Sequence, residues 1–258
     1  MEVKYIFYHS KELFLKVDGK GEPLLLLHGY QADSRVWDYM IKPLTQKYKV
    51  IIPDLPGHGN TSLFQSINTM EHHAEVVNYI CLSLGIDYFS VAGHSMGGYI
   101  ALALAKKLPQ YIEKLYLINS HPFEDSMAQV LARNRETELL KQGKKHLLII
   151  RNAKNNFYCR EKERLDELSQ FATKLALEQP VNGMIADLAG MMARPNLSPV
   201  LQNSKFPISV IYGESDSKFP LDRINSLVNN KAELHGIEKC GHLSIIEKPE
   251  TVANYLLD

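Results

Sequence analysis

One serine sits between two glycines in Gly93-His94-Ser95-Met96-Gly97, after the apolar pair Val91-Ala92 and before an alanine- and leucine-rich stretch. G-x-S-x-G between a buried strand and a helix is a spacing that suits a nucleophile. A serine at so sharp a turn is held in a strained backbone conformation. Side chains two residues to either side would collide with the packed strand and helix. The turn lifts the hydroxyl above the sheet edge. It also sets the N–H of Met96 at a helix N-terminus, where unsatisfied donors and the helix dipole favour a developing oxyanion. Taken alone, the pentapeptide also fits a glycine-rich turn with an incidental serine, so the residues that would work with Ser95 decide.

A serine hydroxyl needs a base, and ten histidines compete for the role. His94 adjoins Ser95 and is expected to point away from it. His28 and His58 lie in glycine loops at strand ends, where they shape a site rather than drive it. His9 and His235 fall in strand patterns, and His146 in a basic segment. His72 and His73 share a helix but lack the i, i+4 spacing of metal ligands. His242, in "KCGHLSIIEKPE", follows the last strand and precedes the last helix, which puts it on the same sheet edge as Ser95. It is the candidate base. The base in turn needs a carboxylate to hold its tautomer. "VIYGESDSKFP" ends a strand at that edge and offers Asp216, with Glu214 as the second choice; the corresponding position after the preceding strand is the neutral Asn119. A second oxyanion donor is expected from the loop after "LLLLHG", at the N–H of Tyr30, whose phenol could also line the pocket.

These loops need a scaffold that gathers them. "YIFYHS" and "ELFLKV" read as an opening hairpin. "EPLLLLHG", "KVIIPDLPGHG", "YFSVAG", "IEKLYLINS", "FPISVIYG" and "KAELHGI" read as further strands. Helical spacing appears at residues 34–46, 69–84 with Thr69 as N-cap, 95–107, 220–229 and 244–257. Apolar runs alternating with helices predict an α/β fold: a mostly parallel twisted sheet with helices on both faces. The alternation breaks once. Between Ser120 and Phe206 no comparable strand occurs, and residues 126–142, 161–178 and 181–193 read as helices. Residues 1–120 and 201–258 are therefore expected to form the core, and residues 121–200 a helical cap over the carboxyl edge of the sheet, where open α/β sheets bind ligands. Within that cap, Val181, Met184, Ile185, Leu188, Met191 and Met192 form one apolar stripe. Met184, Leu188 and Met191 are the candidate pocket wall, together with His121 and Phe123 where the chain leaves the sheet. Walls of that kind predict an apolar or aromatic group on the substrate.

Composition removes other classes. The 29 Lys and Arg balance the 29 Asp and Glu, so no overall field draws in nucleic acid or cations. The first twenty residues lack the long apolar segment of a signal peptide, and no run approaches the roughly 18 apolar residues of a membrane span. Cys81, Cys159 and Cys240 are too far apart for a metal site or a disulfide framework. The expectation is a cytoplasmic enzyme acting on a small-molecule ester, with no nucleic-acid or membrane partner, no metal and no other cofactor.

"LLLLHGYQADSRVW", "VIIPDLPGHGNTS", "VAGHSMGGYIALALA", "VIYGESD" and "KCGHLSIIEKPE" occur in that order. On them the sequence resembles the α/β-hydrolase fold family over essentially its whole length. It is similar to the cap-bearing branch of small serine esterases, lactonases and C–C hydrolases. The resemblance implies Ser95 as nucleophile, Asp216 as acid, His242 as base, and the Tyr30 and Met96 amides as oxyanion hole. Thr61 stands where relatives often carry serine, a change that bears on loop packing. Ser95 sets the chain apart from haloalkane dehalogenases and epoxide hydrolases, which use aspartate there. The implied activity is cleavage of a carboxylic ester, lactone or thioester through a Ser95 acyl-enzyme. Two rivals stand beside it. One is a lyase resembling the pyruvate-eliminating enzyme of the menaquinone pathway, which uses its triad to abstract a proton and needs cations such as Arg133, Arg135, Arg151 and Arg194 for its substrate. The other is a non-catalytic binding protein on the same fold.

Overall fold

The computed structural model describes residues 1–228 and 232–258. β1 (Glu2–Tyr8) and β2 (Lys11–Asp18) form the expected antiparallel hairpin. β3 (Glu22–Leu27), β4 (Tyr48–Pro53), β5 (Phe89–His94), β6 (Ile112–Ile118), β7 (Ile208–Gly213) and β8 (Ala232–Ile237) run parallel to one another, and β2 pairs antiparallel with β4. The sheet order is β1-β2-β4-β3-β5-β6-β7-β8. Parallel strands require crossovers, and helices supply them, so both faces of the central strands are covered.

α1 (Asp38–Leu44), α2 (Met70–Ser83) and α3 (Met96–Lys107) lie between the first strands. Thr69 caps α2, its hydroxyl accepting the His72 amide at 3.1 Å. The consecutive leucines of β3 show why that run is apolar on both sides. Leu24 and Leu26 pack with Trp37, Met40 and Leu44 on one face; Leu25 and Leu27 pack with α2 and α3 on the other. Each buried leucine contributes roughly 1.5–3 kcal/mol. Thr61 is indeed a packing residue, its hydroxyl accepting the Phe14 amide at 2.9 Å.

Between β6 and β7 come α4 (Met127–Lys141), α5 (Lys145–Ala153), α6 (Lys162–Glu178), α7 (Val181–Ala193) and α8 (Ser198–Asn203), with no strand among the described residues. Two of these depart from expectation. α5 is amphipathic but mostly exposed, and α8 runs across residue 200 to pack on α3 and on α9 (Leu221–Val228). The single closing helix expected at residues 244–257 is two, α10 (Ser244–Glu247) and α11 (Pro249–Leu257). Pro249 disfavours the helical region for the residue before it, and Lys248, at φ −138° and ψ 53°, leaves the helix there. Residue 229 of the expected 220–229 helix and residue 231 of the expected "KAELHGI" strand lie outside the described residues.

Two buried carboxylates fasten the helical segment between β6 and β7. Asp187 of α7, wholly buried, accepts the Asn68 side-chain amide at 2.8 Å and lies 3.0 Å from His73 Nε2 and 3.4 Å from His58 Nε2. Glu247 of α10 accepts the amides of Tyr158 and Cys159 with one oxygen, at 2.8 and 2.7 Å, and that of Gly241 with the other, at 2.7 Å. No helix among the described residues is long and apolar enough to cross a membrane.

Candidate active site

Ser95 occupies the turn from β5 to α3 with φ 52° and ψ −115°, a left-handed conformation that costs a non-glycine residue on the order of 1–3 kcal/mol. The turn survives because its neighbours are glycine. A Cβ on Gly93 would lie 2.2 Å from the Gly97 carbonyl oxygen, and one on Gly97 would lie 2.2 Å from that of Leu27. The Ser95 amide donates to Ile118 O at 2.9 Å, and the Ser120 hydroxyl donates to Ser95 O at 2.7 Å.

His242 and Asp216 come from the loops after β8 and β7, at the carboxyl edge of the sheet. His242 Nδ1–H donates to Asp216 Oδ2 at 2.8 Å, and His242 Nε2 lies 3.0 Å from Ser95 Oγ. An ionised Asp216 fixes the proton on Nδ1, which leaves the Nε2 lone pair to accept from the serine. Glu214, the second choice for the acid, is exposed. Asp216 is further held by the Asn119 side-chain amide at 2.9 Å and the Lys218 amide at 2.9 Å. Asn119 donates to Gly241 O at 3.2 Å and accepts the Ser244 hydroxyl. The neutral amide that made Asn119 unsuited to be the acid is what lets it donate to Asp216. His94 does turn away from Ser95, and its Nε2–H donates to the His242 carbonyl at 2.9 Å. The residue before the serine therefore ties down the backbone of His242. Sequence reasoning missed Asn119, Ser244 and this tie, because each depends on which loops meet.

The electrostatics match. Burial alone would raise Asp216, but His242 and the donated hydrogen bonds outweigh it and bring it down to about 2. Burial, with the charge of Lys218, lowers His242 despite Asp216. At neutral pH the pair is carboxylate and neutral imidazole, which is the state able to act as a general base.

The loop after β3 passes against Ser95: a Cβ on Gly29 would lie 3.2 Å from Ser95 Cβ. Tyr30 follows at once, and Met96 opens α3 on the other side of Ser95. Above them is a cavity of about 570 Å³ that reaches Ser95 and His242. Val36, Leu175, Leu243 and Ile246 supply apolar wall; Arg133, Glu136 and Lys218 supply charge. Where the stripe of α7 led to an expectation of apolar walls, the cavity wall is mixed. Arg133 donates to the buried Asp125 at 2.6 Å, which Arg194 also holds at 2.7 Å, and Lys218 donates to Asn156 Oδ1 at 2.7 Å.

Of the candidate wall residues, His121 and Met191 line the cavity, as does Tyr30. Phe123, Met184 and Leu188 do not. Met184 and Leu188 are fully buried in the core beneath α7, and Phe123 packs on Ile224 and Val228 under the Arg223 guanidinium. One apolar stripe serves two neighbours here, and only its Met191 end turns to the cavity. Burial and the charge of Arg194 push His121 down to about 3. It is neutral, accepting the Phe123 amide at Nδ1 and meeting Tyr99 Oη at 3.3 Å.

A serine–imidazole–carboxylate relay at the carboxyl edge of a mostly parallel, helix-covered sheet defines a class of architecture, and the sequence comparisons agree with it. The family model for the alpha/beta hydrolase fold matches residues 22–249, and the chain belongs to that family. An esterase from Thermogutta terrifontis, solved with malate bound, superposes with a TM-score of 0.91 at 26% identity, covering 100% of this chain and 97% of that one. The monoacylglycerol lipase ABHD6 of Bos taurus is 22% identical over 100% of this chain and 82% of its own length. An uncharacterized protein of Mycobacterium tuberculosis is 30% identical over 112 residues; the match spans 43% of this chain and only 33% of that protein.

Proposed function

We propose that this chain is a serine hydrolase that cleaves a small carboxylic ester, lactone or thioester. The observation that carries the reading is the relay itself, with Ser95 Oγ 3.0 Å from His242 Nε2 and Asp216 Oδ2 2.8 Å from His242 Nδ1. Ser95 Oγ attacks the substrate carbonyl as His242 Nε2 takes its proton. Asp216 stabilises the resulting imidazolium. The amides of Met96 and Tyr30 receive the oxyanion. His242 then returns the proton to the leaving alcohol or thiol; water, deprotonated by the same imidazole, attacks the Ser95 acyl group, and the imidazolium gives that proton back to Ser95 Oγ as the acid leaves. The esterase and lipase relatives support this chemistry. The divided wall supports a substrate with a hydrocarbon portion and a polar one. A second reading, a lyase using His242 as proton acceptor, is favoured only by the presence of Arg133 and Lys218 on the cavity, and Glu136 and Asp125 offset that charge.

A fluorophosphonate probe should label Ser95, read by mass spectrometry, and Ser95→Ala should lose roughly 10⁴- to 10⁶-fold in p-nitrophenyl ester turnover. Label on another serine with turnover intact would overturn the nucleophile. Pyruvate release without ester turnover would favour the lyase.

A further inference from the structure

Glu136 is a carboxylate from the helical insertion that reaches the loop beside the nucleophile. It lies on α4 and lines the active-site cavity. Its Oε1 accepts two hydrogen bonds at once, from the Tyr30 hydroxyl at 2.8 Å and from Gln31 Nε2 at 2.9 Å. Both donors belong to the short loop after β3. At the other end of that loop, His28 Nδ1–H donates to Gly29 O at 2.9 Å and its Nε2 accepts the Leu55 amide at 2.9 Å. The stem of the loop is therefore fixed by the core, and its tip by the insertion.

The tip needs fixing. Gln31 has φ 64°, a left-handed conformation that a side-chain-bearing residue avoids. Such backbone persists where the surroundings hold it, and here the Gln31 side chain is held by Glu136. The Tyr30 amide directly precedes this strained residue, and the loop it sits in crosses within contact distance of Ser95. An oxyanion donor works only when it is aimed in advance at the developing charge, and a displacement of about 1 Å costs on the order of 100-fold in rate.

We infer that Glu136 is a positioning residue that sets the Tyr30 amide for oxyanion binding, so that the insertion completes the reaction site as well as covering it. The inference rests on the serine-hydrolase reading. Its acceptor is one oxygen atom. The amide oxygen of a glutamine can replace it, whereas alanine cannot.

The test compares Glu136→Ala, Glu136→Gln, Tyr30→Phe and Gln31→Ala in the full chain, with a p-nitrophenyl ester as probe. Glu136→Ala should lower kcat roughly 10- to 100-fold with KM changed by less than about 3-fold. Glu136→Gln should recover most of that loss. The double replacement Tyr30→Phe/Gln31→Ala should reproduce the loss, and adding Glu136→Ala to it should cost little more, because one unit has been removed once. If Glu136→Ala does not fold, the Tyr30→Phe/Gln31→Ala double variant carries the same test, with its thermal midpoint measured beside kcat. Wild-type kcat in folded Glu136→Ala, or in that double variant, would overturn the positioning role. So would a loss confined to KM, or one that glutamine does not recover. Absence of Ser95 labelling in the wild type would instead overturn the hydrolase reading, so the two failures are told apart.

Discussion

Asp216 and Glu214 are two residues apart, yet only one can hold the imidazole. Asp216 takes bonds from His242, Asn119 and Lys218, while Glu214 faces solvent. Asp216→Asn should therefore cost on the order of 10⁴-fold in kcat, as loss of the tautomer-fixing carboxylate does in serine proteases. Glu214→Gln should change kcat less than about 3-fold, since an exposed side chain outside the relay has no such part. Equal losses would reassign the acid. The pH profile follows from the same contacts. In the proposed mechanism His242 must be neutral to accept the serine proton, and burial and Lys218 hold it below the usual imidazole value. The acid limb of kcat/KM should then have its midpoint below about 6.5, with activity lost as pH falls through it. Lys218→Met removes a charge that opposes protonation, so His242 should titrate higher and the limb should move up in pH. A limb that stays put or moves down would contradict the assignment.

At the scale of the element, α7 separates packing from recognition. Met184→Ala and Leu188→Ala remove fully buried side chains, and each should destabilise the protein by about 2–5 kcal/mol in denaturant titration while leaving acyl-chain preference unchanged. Met191→Ala opens the cavity wall and should shift preference toward longer acyl groups. A preference shift from Met184→Ala with stability intact would place the pocket elsewhere. The sequence made α7 itself plain, because its stripe is periodic, but could not say which neighbour each position meets. The strands were plain because sheets covered on both faces need continuous apolar runs, as Leu24–Leu27 shows. The Ser95 turn was plain because Gly93 and Gly97 admit no side chain. α4 was readable as a helix but not as a wall. Arg133 and Glu136 look in sequence like an ordinary solvated face, and only the tertiary fold turns them inward. Pro249 did signal the break between α10 and α11, in a stretch whose apolar spacing otherwise runs through.

For the whole molecule, the apolar contacts of α7 with the rest of the fold enclose a buried polar site. Asp187 gathers Asn68, His58 and His73 in a site with no exposure. Asp187→Ala leaves those groups buried without their acceptor, and the expected loss is about 3–5 kcal/mol. For a chain of this size that is on the order of 10 °C in thermal midpoint by calorimetry. Asp187→Asn keeps one acceptor oxygen and should lose less. An unchanged midpoint for Asp187→Ala would mean that the insertion is held by its apolar contacts alone.

Glu247, the second buried carboxylate, has a practical use. Its two oxygens connect the amide of Cys159 to that of Gly241, the residue before the imidazole. Of the three thiols, Cys81 and Cys240 are buried and Cys159 is only partly buried. A maleimide dye will therefore attach to the native protein first at Cys159, with no engineered cysteine required. Its emission would report, in real time, whether the helical segment between β6 and β7 lifts away from the loop that carries His242.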